Sequence, residues 1–277
     1  MAANAQEAPN IQEPQEPQEP LVSKTQENGV VYLTLNRPRA RNALSQRMIE
    51  VLLAEFDAIA ADPGAFVVVL AGAGPAFCSG HDLKEMRATG FDPAYAEKLF
   101  ATCGKLMQRI VSLPQPVIAR VHGIATAAGT QLVATCDLAI AADTTRFATP
   151  GVNIGFFCST PMVALSRNVS HKHAMQMLLT GDFIDAPTAL RFGLVNDIVP
   201  EQELDAAVNA LAAKIASKSR HTLAVGKEAF YRQAAEPQLA AAYTYAQGVM
   251  VNNLQSLDAR EGISAFIDKR PPVWCNS

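Results

Sequence analysis

Five consecutive apolar residues, Phe66 to Leu70, follow the turn sequence Asp62-Pro63-Gly64. A run this short, bounded by turn residues and broken by no polar position, fits a strand buried on both faces. Such a strand must lie inside a sheet with a packed layer on each side. The rest of the chain supplies those layers. Val30 to Leu35 reads as a strand after the turn dipeptide Asn28-Gly29, and Val117 to Val121 and Leu138 to Ala142 read as two more. Between them lie helical patterns. Ser45 is placed to cap a helix carrying Met48, Val51, Leu52, Phe56 and Ile59 at helical spacing. Tyr95, Leu99, Cys103, Met107 and Ile110 form a second stripe, and Ala127 to Thr135 a third helix. Beyond Pro161 the pattern is mostly helical. This predicts an α/β core followed by a helical region. The expected divisions are a disordered tail over 1–20, where Glu13-Pro14, Glu16-Pro17 and Glu19-Pro20 repeat, a core over 21–200, and C-terminal helices over 201–277.

Charge and cysteine usage narrow the function classes. The 277 residues carry a formal net charge of −3, so there is no global basic field for nucleic acid or anionic membrane. Any phosphate-bearing ligand needs local cations. The stretch from Gly123 to Cys136 is interrupted by Thr126, Thr130, Gln131 and Thr135, which argues against a membrane span. The five cysteines are odd in number and form no C-x-x-C pair, which points away from a zinc site or disulfide framework and toward a reducing compartment. The first 23 residues lack Arg and Lys and contain several Glu, unlike a transit peptide. The expected location is the cytoplasm.

Two segments follow predicted buried strands and end in predicted helices. In Phe77-Cys78-Ser79-Gly80-His81-Asp82-Leu83-Lys84, Gly80 permits a tight turn and Ser79 or Asp82 is placed to cap a helix. In His122-Gly123-Ile124-Ala125-Thr126-Ala127-Ala128-Gly129-Thr130-Gln131, small residues permit close backbone approach. The first turn of the helix that follows points free N–H groups outward. Taken singly, each segment is equally well a plain junction or a site of tight helix packing.

Taken together, the two segments resemble the paired signatures F-x-x-G-x-D-L/I-K-E-M and N/H-G-x-A-x-G-G-G of the enoyl-CoA hydratase/isomerase (crotonase) family. Asn36-Arg37-Pro38 through Asn42-Ala43-Leu44, Cys136-Asp137-Leu138 with Phe147 and Pro150, and Ala265-Phe266-Ile267-Asp268-Lys269-Arg270 resemble three further family segments, in order, over about residues 25–270. Within the family the chain looks most similar to the enoyl-CoA hydratase domain-containing group. The resemblance implies the Clp-protease/crotonase superfold, with stacked ββα turns and a C-terminal helical oligomerisation region, assembled as a homotrimer or hexamer. It implies an acyl-CoA thioester as the bound partner, with coenzyme A part of the substrate and neither a separate cofactor nor a metal. It also implies that the thioester carbonyl sits between the backbone N–H groups of His81 and Ala128. Preorganised donors of this kind contribute about 3–4 kcal/mol each to a developing oxyanion.

The same resemblance locates a deficit. The two positions where hydratases of the family carry glutamates are Gln131 and Gly151 here. Hydration of an enoyl thioester needs a base for water and an acid for the α-carbon, and neither residue titrates near neutral pH. Asp82 is expected as a helix cap and Cys158 as a packed thiol. Arg39, with Arg41 beside it, and Lys84 and Lys227 are the candidate cations for the CoA phosphates. Two readings follow: an acyl-CoA enzyme of the lyase or isomerase type with weak hydration, or a non-catalytic acyl-CoA binder or assembly partner. A serine-protease relative of the same superfold ranks below both, for want of a G-x-S-x-G elbow.

Overall fold

The structure, a computed structural model, describes residues 19–277. Residues 1–18 of the expected tail therefore lie outside the described residues. The strands are β1 (Val22–Glu27), β2 (Val30–Leu35), β3 (Val67–Gly72), β4 (Val117–Val121), β5 (Ile124–Thr126), β6 (Leu138–Ala142), β7 (Arg146–Ala148), β8 (Ile184–Asp185) and β9 (Asp197–Val199). The helices are α1 (Gln46–Ala61), α2 (Leu83–Ala88), α3 (Pro93–Ser112), α4 (Ala128–Thr135), α5 (Pro161–Asn168), α6 (His171–Thr180), α7 (Ala186–Phe192), α8 (Leu204–Ala216), α9 (Arg220–Ala234), α10 (Leu239–Leu254) and α11 (Leu257–Ile267).

The main sheet runs in the order β1-β2-β3-β4-β6-β9, and a smaller sheet in the order β5-β7-β8. Only β1 is antiparallel in the main sheet, paired with β2. Its central strand β3 is buried at every position, as its unbroken apolar run predicts. The two faces can be read from the period of two. Val68 and Leu70 join a core with Val31, Leu33, Phe56 and Leu99, which places α1 and α3 on that face. Val67 and Val69 point the other way, into a second core with Ile118, Ile140, Leu204 and Val208. That second face is covered by α8, whose first residue lies beyond the expected core limit at 200. The later helices behave differently: α9 and α10 bury no residue fully, while α11 buries Asp258 and Ala265.

Local signals place the helix ends. Ser45 Oγ accepts the Met48 N–H at the start of α1, and Asp62 ends that helix. The Asp82 carboxylate starts α2, accepting from Lys84 and Glu85 N–H. The strands that sequence patterning does not reveal are β1, β5, β7, β8 and β9. Four of these have two or three residues, too few to show a period, and β1 is polar at most positions.

Candidate functional site

The segment after β3 and the segment after β4 are tied by their backbones. Cys78 N–H donates to Ile124 O (3.2 Å) and Thr126 N–H donates to Cys78 O (2.9 Å). Gly129 explains why this approach tolerates no side chain: a Cβ there would lie 2.1 Å from Cys78 O. Gly80 adopts φ +93°, and a Cβ on it would meet Ala127 Cβ at 2.9 Å and Thr126 O at 3.0 Å. Both glycines are thus fixed by contact between the two segments, and Gly80 also by its left-handed backbone.

These contacts leave two amides uncommitted. The residues beside His81 are engaged: Gly80 O accepts from Leu44 N–H (2.8 Å), and Asp82 N–H donates to Leu44 O (3.0 Å). The His81 N–H between them has no acceptor among the described residues. Ala128 is the first residue of α4, so its N–H has no intrahelical partner. The residue before it, Ala127, is held at φ 51° and ψ −116°, a sparsely populated conformation for a residue with a Cβ. Its N–H donates to Ala148 O (2.9 Å), and its C=O accepts from Gln131 N–H (3.0 Å), which secures that turn. His81 and Ala128 line one cavity of about 510 Å³.

The side chains of that cavity are largely apolar. Leu83, Phe100, Ile154, Phe156, Phe157 and Pro161 contribute to its wall, and among the described residues no Asp or Glu does. The His81 ring meets Phe100 edge-on at 5.3 Å between centroids. Burial pulls the His81 pKa down to about 4, so its imidazole is neutral at pH 7. Its Nε2 is buried and has no hydrogen-bond partner among the described residues. Asp82 is engaged elsewhere, accepting from Arg37 Nη2 (2.9 Å) besides capping α2. Burial alone would raise its pKa, but the Arg37 hydrogen bond, the Lys84 and Glu85 amides and the Arg37 charge hold it below the usual carboxylate range.

The two positions at which the family resemblance implies glutamates, Gln131 and Gly151, differ from one another. Gln131 is only 4% exposed and stands outside the cavity wall, with its Oε1 buried and without a partner among the described residues. Gly151 lies on the wall, and a Cβ there would fall 2.0 Å from Phe156 O and 2.9 Å from Cys158 Sγ. The turn is closed by Phe156 N–H donating to Gly151 O (2.9 Å). The space a side chain at 151 would need is therefore occupied by the backbone of the following loop. Burial raises the Cys158 thiol pKa, partly offset by the Gly151 amide.

The candidate cations divide in the same way. Arg39 and Lys84 are exposed and form no ion pair among the described residues, as does Arg41. Lys227 corrects the expectation placed on it. Its ammonium donates to Ile110 O (2.8 Å), Gln115 O (3.0 Å) and Asp137 Oδ2 (2.7 Å), with the side chain 7% exposed. All three N–H donors are used, which leaves none for a phosphate. Burial lowers its pKa and the Asp137 carboxylate opposes that shift. Sequence reasoning missed Phe156 and Phe157, which follow a left-handed Gly155 in a loop with no period to read, and Phe100, which lies one position off the buried stripe of α3.

Among the described residues no helix is long and apolar enough to cross a membrane, and no cluster of three or more His, Cys, Asp or Glu is placed to hold a metal ion. The enoyl-CoA hydratase/isomerase family model matches residues 25–277. Enoyl-CoA hydratase domain-containing protein 3, mitochondrial, of Xenopus laevis is 49% identical over 93% of this chain and 87% of its own length. The human protein of the same name is 47% identical over 91% of this chain and 82% of its own. A crystal structure of enoyl-CoA hydratase from Mycobacterium smegmatis superposes with a TM-score of 0.90 at 52% identity, covering 92% of this chain and 99% of that one. The crystal structure of human enoyl-CoA hydratase domain-containing protein 3 gives a TM-score of 0.89 at 45% identity, covering 92% and 100%.

Proposed function

The chain belongs to the enoyl-CoA hydratase/isomerase family, and on that premise we propose that it binds an acyl-CoA thioester with the carbonyl between the N–H groups of His81 and Ala128. The observation that carries this reading is that both amides lack an acceptor among the described residues and that His81 and Ala128 line the same largely apolar cavity. Two N–H donors aimed at one oxygen stabilise charge that develops there during reaction at the α-carbon. Arg39 and Lys84, exposed and without carboxylate partners among the described residues, serve the CoA phosphates by charge-assisted hydrogen bonds. Coenzyme A is then part of the substrate, and no separate cofactor enters the scheme.

Hydration is the weak side of the proposal. The cavity wall offers no carboxylate, Gln131 cannot exchange a proton near neutral pH, and Gly151 has no room for a side chain. This favours the second reading, in which the protein holds an acyl-CoA without hydrating it, as a binder or assembly partner. Isothermal calorimetry with butyryl-CoA and crotonyl-CoA, followed by mass spectrometry of the mixture, tests both. Measurable heat with unchanged thioester supports binding alone, and heat with an added water supports a hydratase. Absence of heat or thermal shift at millimolar ligand removes the proposal.

We further propose a homotrimer or hexamer. Leu239, Tyr243, Met250, Phe266 and Ile267 leave large apolar side chains exposed on α10 and α11, more than an isolated chain needs. Light scattering that gives the mass of a single chain rejects assembly. The proposed compartment remains the cytoplasm, and the vertebrate relatives named mitochondrial make cell fractionation the deciding measurement.

A further inference from the structure

A histidine outside the candidate cavity holds the chain that leads into it. His122 follows β4 directly and is buried. Its Nε2 lies 2.7 Å from Gly74 O, and its Nδ1 lies 3.1 Å from Arg120 Nη1. A carbonyl oxygen only accepts, so Nε2 carries the proton of the first bond. A guanidinium only donates, so Nδ1 supplies a lone pair to the second. Both bonds exist together only when the imidazole is neutral and protonated on Nε2. Gly74 belongs to the segment that runs into Phe77 and on to His81. That segment rests on His122 and its neighbour: Phe77 N–H donates to His122 O (3.1 Å), and a Cβ on Gly123 would lie 2.1 Å from Pro75 O. We propose that His122 is a positioning residue for the His81 amide and that it acts only in its neutral form, so that acidification weakens acyl-CoA binding.

This rests on the acyl-CoA reading above and adds a control by pH to it. A proton on Nδ1 removes the acceptor that Arg120 uses and sets an imidazolium against a guanidinium. Two carboxylates then compete for the ring. Asp205 on α8 accepts from Arg120 Nε (2.5 Å), and Glu201 accepts from Thr144 Oγ1 (3.0 Å). Both line, with His122 and Arg120, a cavity of about 490 Å³ on the α8 face of the main sheet. The Arg120 hydrogen bond holds the Asp205 carboxyl below the usual carboxylate range, so it stays charged in mild acid. Tyr32 is the other titratable group among the described residues of that lining. Burial raises its pKa, and its hydroxyl donates to Asn209 Oδ1 (2.9 Å). An imidazolium has two N–H donors, and the carboxylates offer it acceptors in place of Gly74 O. The ring then leaves Gly74, and the segment ahead of His81 loses that bond.

The test is calorimetry with butyryl-CoA on the full chain at about pH 8 and about pH 5.5, on either side of the usual histidine range. His81 does not titrate in that window, because burial holds its pKa down at about 4. Affinity should fall at least about fivefold at the lower pH. His122→Gln keeps an N–H donor near the Nε2 position and cannot titrate. It should bind as the parent does at the higher pH and lose the fall at the lower, and a melting curve checks that it is folded. If it does not fold, the parent's pH series and nitrogen NMR of its His122 ring decide the matter. The ring should be neutral and protonated on Nε2 at the higher pH, and an Nδ1–H ring or an imidazolium there overturns the inference. No fall in the parent, or an equal fall in parent and variant, overturns it and leaves the acyl-CoA reading standing, since an equal fall belongs to the ligand's phosphate. Binding at neither pH overturns both.

Discussion

The wall that carries His81 and Ala128 and the wall that carries Gly151 face the same cavity and are fixed by similar means. Each depends on a glycine pressed against a carbonyl oxygen: Gly129 against Cys78 O, with 2.1 Å to a built Cβ, and Gly151 against Phe156 O, with 2.0 Å. On the first wall two backbone N–H groups are left without acceptors among the described residues. On the second the close approach fills the space that a side chain at 151 would take. Tight packing therefore leaves amides open on one wall and excludes a side chain from the other. The lesson is that one kind of close backbone packing can leave donors open in one place and shut out a side chain in another.

The largest expected effect concerns chemistry. Crotonyl-CoA hydration should run at least 10³-fold below the ~10 s⁻¹ of an ordinary enzyme, since groups worth about 10²–10⁴-fold each are absent. A rate near the ordinary value breaks the comparison, because a proton donor and acceptor would then have to exist on the second wall. The double change Gln131→Glu, Gly151→Glu sharpens it. Hydration should stay low in that variant, because the Phe156 carbonyl occupies the space the second carboxylate needs.

Next in size is Lys227→Met. Breaking a buried ion pair leaves the Asp137 carboxylate, 15% exposed, without its ammonium, at a cost of about 3–5 kcal/mol in unfolding free energy by urea titration. Affinity for CoA should change little in the folded fraction. A large loss of CoA affinity with unchanged stability would restore Lys227 to the ligand side of the molecule.

Gly129→Ala and Gly151→Ala test the two walls directly. Each forces a Cβ against backbone, and each should destabilise by about 3 kcal/mol, read from denaturant midpoints. A tolerated Gly151→Ala beside a costly Gly129→Ala would mean that the second wall is mobile where the first is not.

The smallest effect belongs to Asp82→Ala, about 1–2 kcal/mol from the lost cap of α2. Because the folded pKa of Asp82 is depressed, its contribution is fully present above the unfolded value of about 3.9. It is lost as the pH falls through the lower folded value. The stability difference between parent and variant should therefore shrink only in strong acid. A difference that persists unchanged to pH 2 would show that the carboxylate charge is not what caps the helix.

Much of the architecture was legible because it is local or periodic. The apolar run of β3, the Ser45 and Asp82 caps and the stripes of α1 and α3 depend on neighbours within a few residues, whose chemistry the sequence states directly. The paired glycine-containing segments gave the candidate amides for the same reason: a residue without a side chain marks close backbone approach. What the sequence could not state was which atoms each side chain would meet across the fold. Lys227 reads as a free cation until α9 places it against Asp137, 90 positions away. Gly151 reads as a gap until Phe156 O is found in it, and Phe156 and Phe157 read as loop residues until they line the cavity wall with His81 and Phe100. Helix periods and caps are settled within a turn or two of chain. The occupancy of a cavity is settled by segments far apart in sequence, and only their packing decides it.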